Sequence, residues 1–191
     1  NKSKEVESYL KMMTTSVKQQ DKFIHDILDI SKNARLEVKN EEIDFEVMVN
    51  EVFDQIKFLN HTRVTRKIEI QKTDPFFSDV SRLRVIFNNL ISNSIRYHNG
   101  KQPKVEVSVR SNRDTANILV KDNGIGIASE HLKKVFKMFY RATETNPGSG
   151  LGLYIVKESI EKLNGSVRID SQEGNGTEVL IEIPNRIDDQ T

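Results

Sequence analysis

The sequence predicts an α+β fold: a two-layer α/β sandwich, three helices on one mixed or antiparallel sheet, preceded by a long N-terminal helix. Three observations carry this. Segments 45–60, 79–97 and 151–163 repeat apolar residues at three- and four-residue spacing, which places them on one face of a helix. Between and after them lie short alternating stretches such as Val105-Glu106-Val107-Ser108-Val109, with the two-residue period of a half-buried strand. Residues 2–33 contain neither Pro nor Gly. Helices and strands that each bury one face are satisfied by packing as two layers.

In 2–33, Val6, Leu10, Met13, Val17, Ile24 and Ile27 follow a 4-3 alternation interrupted at Gln20. So narrow a seam suits a partner helix better than the wide stripe of a helix lying on its own domain. Residues 34–43 are polar and charged and read as a connector. Asp44 is placed to cap the next helix, where Phe45, Met48, Val49, Val52, Phe53, Ile56 and Leu59 make a broad apolar face over 45–60. Lys67–Lys72 alternates as a strand, and Pro75 to Ser78 is a short extended piece. Residues 79–97 form a second core helix through Leu83, Ile86, Phe87, Leu90, Ile91 and Ile95. Val105, Val107 and Val109 mark a strand, Asn112-Arg113-Asp114 a turn, and Asn117–Lys121 a returning strand that runs into Asp122. Residues 123–147 read as a long loop with one or two helical turns near Ser129–Phe139. Leu151–Leu163 is a third core helix, ended by Asn164-Gly165. Val167–Asp170 and Glu178–Ile183 are the last strands, and the tail after Pro184 is expected to fray.

Composition excludes several classes. Lys+Arg number 29 against 28 Asp+Glu, a net charge of +1, so no broad basic field invites nucleic acid or an anionic membrane. The absence of cysteine excludes disulfides and thiolate metal sites. No apolar run approaches the ~20 residues that cross a bilayer. With no initiator Met and a polar opening helix, the chain reads as a piece of a longer protein without a signal peptide; a sensory or membrane-spanning part is compatible with its remainder.

Seven of the nine glycines stand in three clusters: Asp122-Asn123-Gly124-Ile125-Gly126, Gly148-Ser149-Gly150-Leu151-Gly152 and Gly174-Asn175-Gly176-Thr177. Such clusters let the main chain come close to a ligand and suggest one that bears phosphate. A P-loop is excluded, because Gly100-Lys101 is followed by Gln102. A dinucleotide fold requires a different glycine spacing after a first strand. Signatures of the eukaryotic-type kinases are absent too. Upstream, Asn89 and Asn93 are four apart, on one helix face.

An asparagine pair, then Asp-x-Gly-x-Gly, then Gly-x-Gly-x-Gly resembles the ATP site of the sensor histidine kinases of two-component systems, over about 44–184. Asn89–Tyr97 looks like that family's N box, Asp122–Ile127 its first glycine box, Val135–Arg141 its F box, Gly148–Leu153 its second glycine box and Gly174–Thr177 its third. The resemblance implies a Bergerat-type ATP-binding fold over 44–184, with 1–33 as the second helix of a dimerisation and histidine-phosphotransfer bundle, 34–43 as connector and 185–191 as tail. It implies ATP and Mg²⁺ as ligands, transfer of the γ-phosphate to a histidine and onward to an aspartate of a response regulator, and a homodimer formed through the N-terminal helix. A cytoplasmic location is expected, with neither nucleic acid nor direct membrane contact for this segment.

Roles follow residue by residue. Asp122 is expected to accept a hydrogen bond from the exocyclic amine of adenine. Asn93 offers an amide oxygen to Mg²⁺, which keeps few protein ligands. Asn89, Arg96 and Arg141 are the expected catalytic residues. Arg96 stands where the family usually has Lys, and Arg141 is carried by the loop towards the γ-phosphate. Tyr97, Gly124, Gly126 and Ile127 are expected around the nucleotide. Gly148, Gly150, Leu151 and Gly152 open a helix whose free N–H groups suit phosphate. Phe136 and Phe139 are expected to pin the loop to the body, with Phe139 also at the nucleotide, and Gly176 and Thr177 to let the last strands pass the pocket floor. Related clamp ATPases carry Glu at the place of Asn89. An amide is no general base, so slow hydrolysis and transfer to another acceptor are expected.

Four histidines occur, His25, His61, His98 and His131. His25-Asp26 suggests a phosphoacceptor, but Leu28 and Ile30 stand where the family has Arg and Pro. The acceptor is therefore expected upstream, on a helix towards which the ATP domain swings, and the site is expected to reach His25 only if the connector 34–43 folds the domain back. The competing readings are an ATP-driven clamp or serine-directed kinase of the same superfamily, and a degenerate nucleotide-sensing dimerisation module.

Overall fold

The computed structural model describes residues 2–60, 63–143 and 148–187. The chain runs α1 (Lys2–Arg35), β1 (Glu41–Glu42), α2 (Phe45–Asn60), β2 (Thr65–Lys72), β3 (Phe77–Ser78), α3 (Val80–Arg96), β4 (Lys104–Ser111), β5 (Thr115–Asp122), α4 (Ser129–Leu132), α5 (Gly152–Lys162), β6 (Ser166–Ser171) and β7 (Thr177–Pro184). The five long strands form one sheet in the order β2-β4-β5-β7-β6. Its neighbours are antiparallel except β2 and β4, which are parallel. The sheet is therefore mixed. The segment from β2 to β4 contains α3, and a parallel pair needs such a crossover.

Alternation aims one side chain in two at the helices. Val107 lies opposite Val120 and Ile118 opposite Ile181, and all four are buried. The helices answer with their own buried stripes, including Val49 and Val52 of α2, Ile86, Phe87 and Ile91 of α3, and Val156 and Ile160 of α5. Asp44 accepts from Val47 N at 3.0 Å and Asp79 from Arg82 N at 2.9 Å, so both helices start on a carboxylate cap. Asn164, at φ 60°, and Gly165, whose N–H donates to Ile160 O, end α5 where expected.

The connector differs from its expected character. Glu41–Glu42 pairs with Phe77–Ser78 in a two-stranded ribbon; two exposed glutamates carry no alternation to announce it. The buried Arg82 guanidinium donates to the carbonyls of Asn33, Leu36 and Glu37 and pairs with Asp79. Asp79 also accepts from Lys39 N, at 3.0 Å. Charge-assisted bonds to carbonyls at a helix end hold that end firmly. The connector is thus clamped to the start of α3, and α1 folds back onto α5. This is the folding back of the connector on which any approach of the site to 2–33 was expected to depend. Farther out, Val6, Leu10, Met13, Val17, Ile24 and Ile27 are all exposed.

Past Pro184 the chain does not fray at once. The Asn185 side chain accepts from Phe77 N and donates to Pro75 O and Asn112 O. Residues 144–147 of the predicted loop and 188–191 of the tail lie outside the described residues.

Candidate nucleotide-binding site

β5 delivers Asp122 to a cleft between α3, α5 and the strand ends. Oδ1 accepts from Gly124 N at 2.8 Å and Thr177 N at 3.2 Å, while Oδ2 accepts from Ser94 Oγ at 3.0 Å. Burial pushes the carboxyl above its ordinary value, and these three donors oppose that rise. The close approach depends on Gly176. It has φ 87°, and a Cβ there would lie 2.1 Å from Asp122 O. The β6–β7 turn then closes the floor through Ser171 Oγ, which donates to Gly176 O and accepts from Ile127 N.

The cleft encloses about 1050 Å³ with the open solvent at its mouth included. Asn89, Asn93, Arg96, Tyr97, Asp122, Gly126, Ile127, Arg141, Gly148, Gly150, Gly152 and Thr177 all line it. Asn89 is buried and donates to Val85 O within its own helix. Its amide oxygen lies 3.0 Å from where a Cβ of Gly152 would stand, and the amide of Asn93 lies 3.4 Å from the same point. Gly152 therefore lets α5 begin beside the asparagine face. Gly148 sits beside the Tyr97 hydroxyl and the Arg96 guanidinium.

Three expected residues do not line the cleft. Gly124 acts through its N–H on Asp122, and Leu151 is fully buried behind the loop. Phe139 is 54% exposed and does not pin the loop to the domain body. Its ring faces Phe23 of α1 at 6.5 Å. Its backbone, at φ 62°, lies against Gly150, where a Cβ would meet the Phe139 carbonyl carbon at 2.7 Å. Val135 is the buried anchor of this segment.

Several lining residues escaped the sequence reading. Ser94 and Ser149 stood inside the boxes without a role. Tyr140 Oη lies 2.6 Å from His131 Nδ1. Lys22 reaches the cleft from α1. Nearby, Asp26, 3% exposed, accepts from Ser149 Oγ at 2.6 Å across 123 residues of sequence. No local signal announces a contact that distant.

A mixed sheet under three helices, with an asparagine face and glycine turns around a buried carboxylate, defines a class of ATP-binding domains. The chain belongs to the histidine kinase-, DNA gyrase B-, and HSP90-like ATPase family, whose pattern matches residues 78–187. Within that class it is similar to the sensor protein kinase WalK of Staphylococcus epidermidis, 32% identical over 189 residues that cover 94% of this chain and 31% of the relative. The chain thus spans about a third of the length of the curated relatives it matches. The fold is shared with histidine kinase AdeS of Acinetobacter baumannii, at TM-score 0.74 and 24% identity over 93% of this chain and 84% of that one. It is also shared with full-length ShkA in complex with AMPPNP, at TM-score 0.76 and 22% identity over 93% and 38%. Among the described residues no helix is long and apolar enough to cross a membrane.

Proposed function

We propose that this chain is the catalytic, ATP-binding part of a sensor histidine kinase, with 44–184 as the nucleotide domain and α1 as the second helix of a dimerisation bundle. The observation that carries the reading is the Asp122 carboxylate, whose two oxygens differ in use. Oδ1 is occupied by two backbone N–H groups, and Oδ2 by one hydroxyl. A carboxylate oxygen has room for a second donor, so Oδ2 suits the exocyclic amine of adenine. Guanine presents a carbonyl there and would be repelled.

The amide faces of Asn89 and Asn93 beside the start of α5 fit a Mg²⁺ ion that keeps phosphate oxygens and waters as its other ligands. Asn93 would hold it, and the ion would neutralise charge on the triphosphate. Arg96 and Arg141 point the same cleft towards anions, and the N-terminus of α5 adds unpaired N–H groups. Asn89 orients but takes no proton, so water is not activated. A histidine nitrogen presented by a bundle helix attacks the γ-phosphorus, and the bond to the ADP oxygen breaks. The phosphoryl group passes on to an aspartate of a response regulator. The exposed seam of α1 supports a homodimer, and the charge balance supports action away from nucleic acid.

The test is calorimetric titration with ATP and GTP, with and without Mg²⁺, together with steady-state hydrolysis. Micromolar, Mg²⁺-dependent ATP preference with slow hydrolysis is expected. Equal affinity for GTP, or rapid turnover to free phosphate, would refute the reading.

A further inference from the structure

We propose that Lys22 of α1 is a ligand for the terminal phosphate of the nucleotide, so that the stalk helix completes the ATP site; this rests on the ATP-binding reading above. Lys22 lines the same cleft as Arg96, Arg141, Gly148 and Ser149. Among the described residues it is the one lining residue supplied from outside the domain proper. Its ammonium is 3.2 Å from Asp26 Oδ1, with the side chain 37% exposed. One turn along, Asp26 is held through its other oxygen by Ser149, between two glycines of the loop. The carboxylate thus ties the helix to the phosphate loop and parks the lysine at the cleft mouth.

A lysine on a flexible four-carbon stem can exchange one anion for another without moving its backbone. With nucleotide present, the ammonium turns from Asp26 to the phosphates. Phe23, between the two in sequence, packs its ring on Phe139 of the loop, and the Arg82 clamp holds the far end of α1. Lys22 is therefore presented at a fixed place. The consequence is regulatory: displacing α1 withdraws a phosphate ligand and weakens ATP binding. By linkage, ATP favours the docked helix to the same extent.

The experiment measures the affinities of ATP, ADP and adenosine by calorimetry for the whole 191-residue chain and for Lys22→Met and Lys22→Arg. Lys22→Met is expected to weaken ATP about 3- to 10-fold, the range between an exposed and a buried charged contact. ADP should weaken less and adenosine not at all, and Lys22→Arg should keep most of the affinity. Unchanged ATP affinity in Lys22→Met, or an equal loss on all three ligands, overturns the inference while the nucleotide reading stands. If the unmodified chain binds none of them, the reading falls and the inference with it.

Discussion

Replacing Asp122 with Asn tests the adenine assignment with little disturbance to the fold. The amide is isosteric with the carboxylate. Its oxygen at the Oδ1 place still accepts from Gly124 N and Thr177 N. Its NH₂, at the Oδ2 place, donates to Ser94 Oγ, whose hydroxyl turns from donor to acceptor. All three protein hydrogen bonds survive, and a desolvated charge is removed. The adenine amine, however, now meets a donor instead of an acceptor. A charged hydrogen bond is lost, worth about 1.5–3 kcal/mol, or about 10- to 100-fold in ATP affinity. Calorimetry should show that loss while the melting temperature at neutral pH is unchanged or higher. Inosine triphosphate, which carries an oxygen at that position, should bind the variant better than it binds the parent chain. The same carboxyl sets a pH dependence. Burial raises it above 3.8, so the folded state keeps its proton longer than the unfolded chain does. Stability from this group is then lost as pH rises from that value through the raised one. ATP affinity runs the other way, falling as pH drops through the raised value, and should be flat there in the Asn variant. Unchanged ATP affinity in Asp122→Asn, with the fold intact, would refute the reasoning.

Gly176→Ala should destabilise the domain by at least about 1–3 kcal/mol, since it combines positive φ with a Cβ 2.1 Å from Asp122 O; thermal or denaturant unfolding checks this, and an unaltered midpoint contradicts it. The chain should self-associate through α1, because Leu10, Met13 and Val17 are each more than half exposed along one seam; light scattering should show a dimer at high concentration, and Leu10→Glu with Val17→Glu should shift it to monomer. Incubation with γ-labelled ATP should leave no acid-labile phosphate on His25, whose ring is held at Asp21 O at 2.9 Å and is not among the residues lining the cleft; labelled His25 on peptide mapping, lost in His25→Gln, would overturn this.

The helices and strands were legible in the sequence because their cause is local. Leu83, Ile86, Phe87, Leu90 and Ile91 repeat at helical spacing, and burial follows that period. Val105, Val107 and Val109 do the same at strand spacing. The glycine clusters and the Asn89–Asn93 pair were equally visible, since a close main-chain approach needs glycine whatever surrounds it. What the chain could not disclose were contacts whose partners are far apart in sequence. The mixed sheet depends on which edge β2 joins, and its own alternation is the same beside either neighbour. Phe139 looked like a core anchor, because an aromatic residue carries the same apolar area wherever it points. In the fold it lies outward, its ring facing Phe23 of α1. Lys22 and Asp26 are ordinary polar residues of a helix surface until Arg82 seizes the carbonyls at the end of that helix and lays it against the glycine loop at Ser149. Periodicity records which face a segment buries; which surface it is buried against is settled by the three-dimensional competition among all such faces at once.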